Sequence, residues 1–125
     1  MSEKEPPKIN WLDHPDGHDF PAAQSYLSLF LAPKRVARIV AALRKAPPTT
    51  FKAKDVLRAS QLTLLDVDNQ HVKKDRMKIE EGTAISPILL VRDRRNRRVI
   101  VADGFHRLCA VYELDEDASI PCRIV

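Results

Sequence analysis

The chain has 125 residues, which is enough for one small domain with a modest hydrophobic core and too few for two independent domains. Lys and Arg number 21 against 17 Asp and Glu, so the net charge of +4 suits an anionic partner without requiring a nucleic acid. The apolar runs are far shorter than a membrane span, so we expect a soluble protein with no membrane partner. The two cysteines lack a metal-ligand spacing and no signal peptide is evident, so we expect a cytoplasmic location.

Apolar residues are scattered through residues 1–20 without a helical or strand period. This pattern predicts an arm that is ordered only where Trp11 and Phe20 contact a surface. From Pro21 the apolar spacing becomes helical. Pro33 ends this segment or begins the next one, because proline is suited to the first turn of a helix.

The segment after Pro33 carries one apolar stripe, with Lys and Arg on its other sides, and it ends at a Pro-Pro pair. This pattern predicts an amphipathic helix with a basic outer face. Thr49 and Thr50 offer caps for a further short helix over about 52–60. The first half of the chain is therefore expected to be mostly helical.

The second half has a different pattern. The apolar run at residues 62–67 predicts a short strand that leads into a polar turn and a helix over about 70–81, which ends at Gly82. Residues 85–91 and 98–102 predict two buried strands, and the polar turn in RDRRNRR joins them as a hairpin.

A helix through residues 108–114 and a closing strand over 120–125 complete the order strand, helix, strand, strand, helix, strand. This order predicts an α+β fold. We expect one structural unit with three parts: an arm (residues 1–20), a helical extension packed on the core (21–60) and a compact domain (61–125). The helices of residues 21–45 are also a candidate contact for a homodimer.

One junction carries the candidate chemistry. In VIVADGFHRLCA a strand runs directly into a helix, with Asp103 and Gly104 at the join. Unpaired N–H groups at a helix start favour phosphate, and glycine lets a ligand approach the backbone. Arg107 could clamp phosphate oxygens, His106 could carry a proton, and Asp103 could hold Mg²⁺ or act as a base. The same residue types are typical of an ordinary turn and cap, so both interpretations stay open at this point.

Several segments of the second half are similar to one known superfamily. They are the polar turn in LLDVDNQHV, the helix ending in EEG, the strand ISPILLV, the junction VIVADGFHRLCAVYEL and the closing strand IPCRIV. On these segments, residues 62–125 resemble the ParB/sulfiredoxin superfamily. The resemblance implies a compact core, with a small mixed sheet and flanking helices, that binds CTP, ATP or ADP together with Mg²⁺.

The resemblance also implies roles for individual residues. The phosphate groups would be bound at Gly104, Phe105, His106 and Arg107. The catalytic residues would be Asp103 and His106, and Asp103 would also bind the metal ion. The catalytic base could be Asp103 itself or a carboxylate of the polar turn before the 70–81 helix, if that turn lies across the same cleft. The secondary cleft candidates in this turn are Asp66, Asp68 and Asn69. For phosphoryl transfer the protein would mainly position the groups and neutralise charge.

Departures from the family patterns narrow the expected function. ParB proteins usually carry G-E-R-R at the junction together with a helix-turn-helix domain, and sulfiredoxin carries a nucleophilic cysteine where this chain has Phe105. The D-G-x-H-R members, which include a free-serine kinase and ParB-like proteins often labelled nucleases, are the most similar. We therefore expect a nucleotide-binding protein which, if it is an enzyme, is a nucleotide hydrolase or a serine-type kinase. The alternatives are a DNA-associated accessory protein or nuclease, and a non-catalytic interaction module.

The turn RDRRNRR contains five candidate nucleic-acid contacts, namely Arg92, Arg94, Arg95, Arg97 and Arg98. Because hairpin turns are routinely charged and no aromatic residue lies among these arginines in the sequence, a solvated turn is the favoured interpretation.

The segment LDHPDGHDF has a composition suited to a divalent metal. Its proline and glycine break any helix that would align the two histidines, so an ordinary loop is favoured there.

Overall fold

The computed structural model describes residues 8–125, which form five helices and one four-stranded sheet. The helices are α1 (Asp19–Leu27), α2 (Pro33–Lys45), α3 (Ala53–Ser60), α4 (Gln70–Glu80) and α5 (Phe105–Leu114). The strands are β1 (Thr49–Lys52), β2 (Ile88–Asp93), β3 (Arg98–Asp103) and β4 (Ser119–Ile124). This content confirms the predicted α+β class.

The sheet is mixed and has the strand order β1-β4-β2-β3. Strand β4 is antiparallel to β1 and parallel to β2, and β2 is antiparallel to β3. The pairing of β2 with β3 confirms the predicted hairpin. Because parallel neighbours need a long connection, β3 and α5 lie between β2 and β4 in the chain.

Buried side chains alternate between the two faces of the sheet. In β2, Leu89 and Val91 pack with α1 and α2, whereas Ile88 and Leu90 pack with α3, α4 and α5. The sheet therefore lies between two helical layers and contributes to both hydrophobic clusters. Within the described residues, no helix is long and apolar enough to cross a membrane.

The prediction of a strand over residues 62–67 is wrong. This segment connects α3 to α4 and pairs with no strand. The first strand is instead β1, at the threonines that the sequence suggested as helix caps. Thr49 lies opposite Cys122 and Phe51 lies opposite Ile120, so β1 occupies the free edge of β4. A strand forms where a neighbour can accept its hydrogen bonds, and this long-range pairing cannot be seen in local spacing. The expected helical extension thus contributes a strand to the sheet.

Most helix boundaries follow the sequence signals. Helix α2 begins at Pro33, as predicted, and α4 ends just before Gly82, which has a left-handed backbone (φ 79°). Asn69 caps α4, because its side-chain oxygen accepts hydrogen bonds from the backbone N–H groups of His71 and Val72. Helix α1 begins at Asp19 rather than at the expected Pro21.

The described part of the N-terminal arm is tied to the chain that precedes β2. Trp11 forms a parallel bridge with Ile85, supported by hydrogen bonds from Leu12 N to Ile85 O and from Ile85 N to Asn10 O, both 2.9 Å long. Trp11 packs against the hydrophobic cluster of α3, α4 and α5, and Phe20, which lies in α1, is buried in the cluster of α1 and α2. Residues 1–7 of that arm lie outside the described residues.

Candidate functional site

Strand β3 and helix α5 are joined by Gly104, whose backbone is left-handed (φ 105°, ψ 19°). A Cβ atom at this position would lie 2.8 Å from Arg107 Nη2 and 3.0 Å from Ile88 Cγ1, so only glycine fits without displacing a neighbour. Gly104 is also the N-cap of α5 and has no side chain with which to cap it. Gly104 therefore offers no side-chain acceptor to the backbone N–H groups of the first helical turn, and such N–H groups favour an anion.

The guanidinium of Arg107 is held by groups of the protein itself. Its Nη2 donates to Asp103 Oδ2 (3.0 Å) and to the carbonyl oxygen of Pro87 (3.2 Å), and lies 3.9 Å from Asp19 Oδ2. The side chain is 17% exposed, and within residues 8–125 its buried Nε has no hydrogen-bond partner. Arg107 is thus fixed beside the helix start and keeps one buried donor unused.

Asp19 is a site residue that the sequence placed only in the LDHPDGHDF segment, without any link to the junction. It is buried at the start of α1, and its Oδ2 accepts a hydrogen bond from the backbone N–H of Asp16 (3.0 Å). In the sequence it is an acidic residue just before a helical pattern, a signal that is typical of a capping turn. The packing of α1 against β3 places it beside Arg107, 88 positions away in the chain.

The two carboxylates share one cation. Burial, reinforced by the neighbouring carboxylate of Asp19, raises the pKa of Asp103 to about 6, although the Arg107 guanidinium acts in the opposite direction. At pH 7 Asp103 is mostly ionised but close to its pKa, which suits a general base. With both carboxylates ionised, two negative charges face one positive charge, so the cluster carries a net charge of −1.

A cavity of about 250 Å³ adjoins this cluster. Its polar lining comes from the arm, α4, the approach to β2 and α5, and consists of Asp16, His18, Asp19, Asp75, Lys78, Ser86 and Arg107. Burial raises the pKa of Asp75, while the nearby charges of Arg107 and Lys78 lower it. The lining therefore contains both signs of charge, with Lys78 and Arg107 as its cations.

His106 lies on the first turn of α5, next to the first turn of α4. Its ring centroid is 4.8 Å from that of His71, with the planes tilted by 43°. Burial, with His71 and Arg107 as like charges, lowers the pKa of His106, and Asp75 acts in the opposite direction. His106 is consequently neutral at pH 7 and can donate or accept one hydrogen bond. Phe105 packs against the α3–α5 cluster, which leaves its backbone N–H as the group that a ligand would use.

The polar turn before α4 forms mainly local hydrogen bonds. Asp66 Oδ1 accepts from the backbone N–H of Asp68 (3.0 Å), and Asn69 caps the helix. Asp66 and Asp68 are exposed, and neither lines the cavity beside Arg107. This turn approaches the junction through His71, which lies two residues after Asn69 and contacts His106.

The five hairpin arginines lie at the opposite end of β3 from Gly104. Arg98 donates through Nε to Asp93 Oδ2 (2.9 Å), and Asn96 donates to the same carboxylate. The other four arginines are exposed. The hairpin and the β3–α5 junction are therefore two separate regions of the surface.

No group of three or more His, Cys, Asp or Glu side chains in residues 8–125 converges on a point where a metal ion could bind. Asp19 and Asp103 do bring two carboxylates to the same guanidinium nitrogen, at 3.9 Å and 3.0 Å. Mg²⁺ commonly takes one or two carboxylates and completes its shell with phosphate oxygens and water. In the segment 12–20, His14 Nδ1 lies 2.9 Å from Arg123 Nη2, and the side chain of His18 is 98% exposed.

Comparisons of the chain with protein-family models, with curated proteins and with solved structures find no match.

Proposed function

We propose that the β3–α5 junction binds the phosphate groups of a nucleotide, and that the chain is a nucleotide-binding protein of the ParB/sulfiredoxin type. One observation carries the proposal. An uncapped helix start, a glycine that admits no side chain, and the buried guanidinium of Arg107 lie together at the junction, and Arg107 also lines a cavity of about 250 Å³. Backbone N–H groups and guanidinium are the donors that proteins use most for phosphate.

The charge of the cluster bears on how a nucleotide would bind. Asp19 and Asp103 together outweigh Arg107 by one negative charge, which opposes a free phosphate. A divalent cation removes this opposition, and Asp103 with Asp19 would hold it. Bound Mg²⁺ would supply positive charge to the phosphate oxygens of CTP, ATP or ADP.

The same residues support hydrolysis or transfer of a phosphoryl group to a small hydroxyl compound such as serine. Asp103 would accept the proton of the attacking hydroxyl through the carboxylate oxygen that does not hold the cation. Neutral His106 would donate a hydrogen bond to a phosphate oxygen.

Cys109 and Cys122 are free and buried, in keeping with a reducing, cytoplasmic location for this activity.

The test is calorimetric titration with CTP, ATP, ADP and GTP, with and without Mg²⁺, together with an assay for phosphate release. Arg107→Ala is a poor probe, because it would leave two carboxylates buried without their cation and cost about 3–5 kcal/mol of stability. Asp103→Asn keeps the shape and an acceptor for Arg107. We expect it to abolish turnover and to remove the dependence of binding on Mg²⁺.

The matched control is Asp55→Asn, which makes the same exchange at an exposed carboxylate on α3. It should change neither turnover nor the dependence of binding on Mg²⁺. The proposal is overturned if the wild-type protein binds none of the four nucleotides at millimolar concentration, or if Asp103→Asn leaves binding and turnover unchanged. Binding without turnover would identify the protein as a non-catalytic nucleotide-binding module.

A further inference from the structure

Two depressions flank the β2–β3 turn, far from the junction. One, of about 230 Å³, is lined by Phe30 and Arg35 from the α1–α2 layer together with Arg92 and Arg95 of the hairpin. The other, of about 410 Å³, is lined by Arg92, Arg94, Arg97 and Arg98 with the end of α3. We define the hairpin-end surface as Phe30, Arg35, Arg92, Arg94, Arg95 and Arg97.

This surface is strongly basic. Residues 92–98 contain five arginines and one acid, Asp93, so their net charge is 5 − 1 = +4. Hydrogen bonds from Asn96 and Arg98 hold the pKa of Asp93 below its usual value, and Asp93 stays ionised and paired with Arg98. In the described part of the chain, Arg98 is the one arginine of this segment that forms an ion pair. Tertiary packing adds Arg35 of α2 to the unpaired charges.

Phe30 of this surface is one of several exposed apolar and aromatic side chains at and just beyond the end of α1. Tyr26 is 43% exposed, Leu29 80% and Phe30 45%. The rings of Tyr26 and Phe30 meet edge to face with centroids 5.4 Å apart, and this contact holds the Phe30 ring in place. The sequence shows no aromatic residue among the hairpin arginines, yet the fold places one directly beside them.

We propose that the hairpin-end surface binds a single-stranded nucleic acid. The arginines would pair with backbone phosphates, and an unstacked base would lie in the smaller depression against the Phe30 ring. Guanidinium planes such as those of Arg35 and Arg95 offer further stacking surfaces. A duplex hides the faces of its bases, so this combination of rings and guanidinium groups favours a single strand.

Other occupants fit the surface less well. A second copy of the chain would bring the same arginines close to each other across a two-fold axis, because a symmetric interface pairs a patch with itself. An acidic peptide would satisfy the charge but has no planar group for the ring of Phe30. Because the hairpin and Gly104 lie at opposite ends of β3, the proposal does not depend on the nucleotide site.

The test is fluorescence anisotropy with a labelled oligothymidine and a duplex, each of about 20 nucleotides in length, titrated between about 50 mM and 200 mM salt. We expect the single strand to bind more tightly than the duplex. Phe30→Ala should weaken single-strand affinity about tenfold, and Phe30→Trp should retain it. Arg95→Gln should reduce the slope of log affinity against log salt by about 0.7, the contribution of one phosphate contact.

Lys74→Gln removes the same unit charge from an exposed position on α4 and is expected to leave the affinity and the slope unchanged. Thermal melts of each variant show whether it is folded. The proposal fails if neither nucleic acid binds at low salt, or if duplex and single strand bind equally and Phe30→Ala has no effect. It also fails if polyglutamate binds more tightly than oligothymidine, or if light scattering detects a dimer that Phe30→Ala dissociates.

Discussion

At the residue scale, Asp103 makes stability depend on pH. Its pKa of about 6 in the folded protein exceeds the value of about 4 in an unfolded chain, so the folded state binds the proton more tightly. The resulting stabilisation is complete below about pH 4 and is lost as the pH rises through about 6. We expect the free energy of unfolding to fall by on the order of 2 kcal/mol over this window and the fall to be much smaller in Asp103→Asn.

Urea denaturation of both proteins at a series of pH values measures this difference. Asp117→Asn is the informative control, because the hydrogen bond from Lys54 lowers the pKa of Asp117 and its contribution has the opposite sign. If the wild type and Asp103→Asn show parallel curves between pH 4 and about 7, the burial argument for Asp103 is incorrect.

Gly104 and Gly17 form a matched pair of glycines. An added methyl group at Gly104 meets Arg107 and Ile88 and must adopt φ 105°, so Gly104→Ala should cost at least about 2 kcal/mol of stability. A methyl group at Gly17 has no atom within 4 Å, so Gly17→Ala should stay within about 0.5 kcal/mol of the wild type. Thermal unfolding of the two variants gives the comparison, and equal losses would contradict the close packing at the junction.

At the element scale, Asn69 connects a helix boundary with a candidate site residue. Its side chain satisfies two N–H groups at the start of α4, so Asn69→Ala should destabilise the protein by about 1 kcal/mol. Asp68→Ala, at the exposed neighbour, should have an effect below about 0.5 kcal/mol. Chemical denaturation measures both values.

The same variants separate two roles of the turn before α4. If Asn69 acts only as a cap, nucleotide affinity should be the same in Asn69→Ala and Asp68→Ala under conditions where both are folded. A selective loss of affinity in Asn69→Ala would show that the turn reaches the ligand.

At the scale of the whole molecule, one sheet serves both helical layers. Because β2 contributes Leu89 to one cluster and Leu90 to the other, loss of either layer exposes the sheet on which the other packs. We therefore expect a single cooperative unfolding transition. Trp11, the one tryptophan of the chain, reports on the arm, while far-UV circular dichroism reports on the helices. Coincident urea transitions would agree with this expectation, and an earlier fluorescence transition would show that the arm detaches first.

Local signals in the sequence determined much of the secondary structure. Pro33, Asn69 and Gly82 act within their own helical turns, so their positions predict helix ends without knowledge of the fold. The junction at Gly104 was visible for the same reason, since a strand, a glycine and a helix follow each other directly. The hairpin was visible because its two strands are neighbours in the chain.

Contacts between distant segments were decided only by the tertiary structure. Strand β1 exists because β4 offers it an edge about 70 residues later, and the run at residues 62–67 finds no such neighbour. Asp19 joins Asp103 and Arg107, and Phe30 with Arg35 joins the hairpin arginines, only because α1 and α2 pack on the sheet. Periodicity and capping depend on a few adjacent residues, so they can be recognised in the sequence. These charges and rings meet because apolar faces of distant elements are buried together, and the sequence of an apolar face does not specify which other face it packs against.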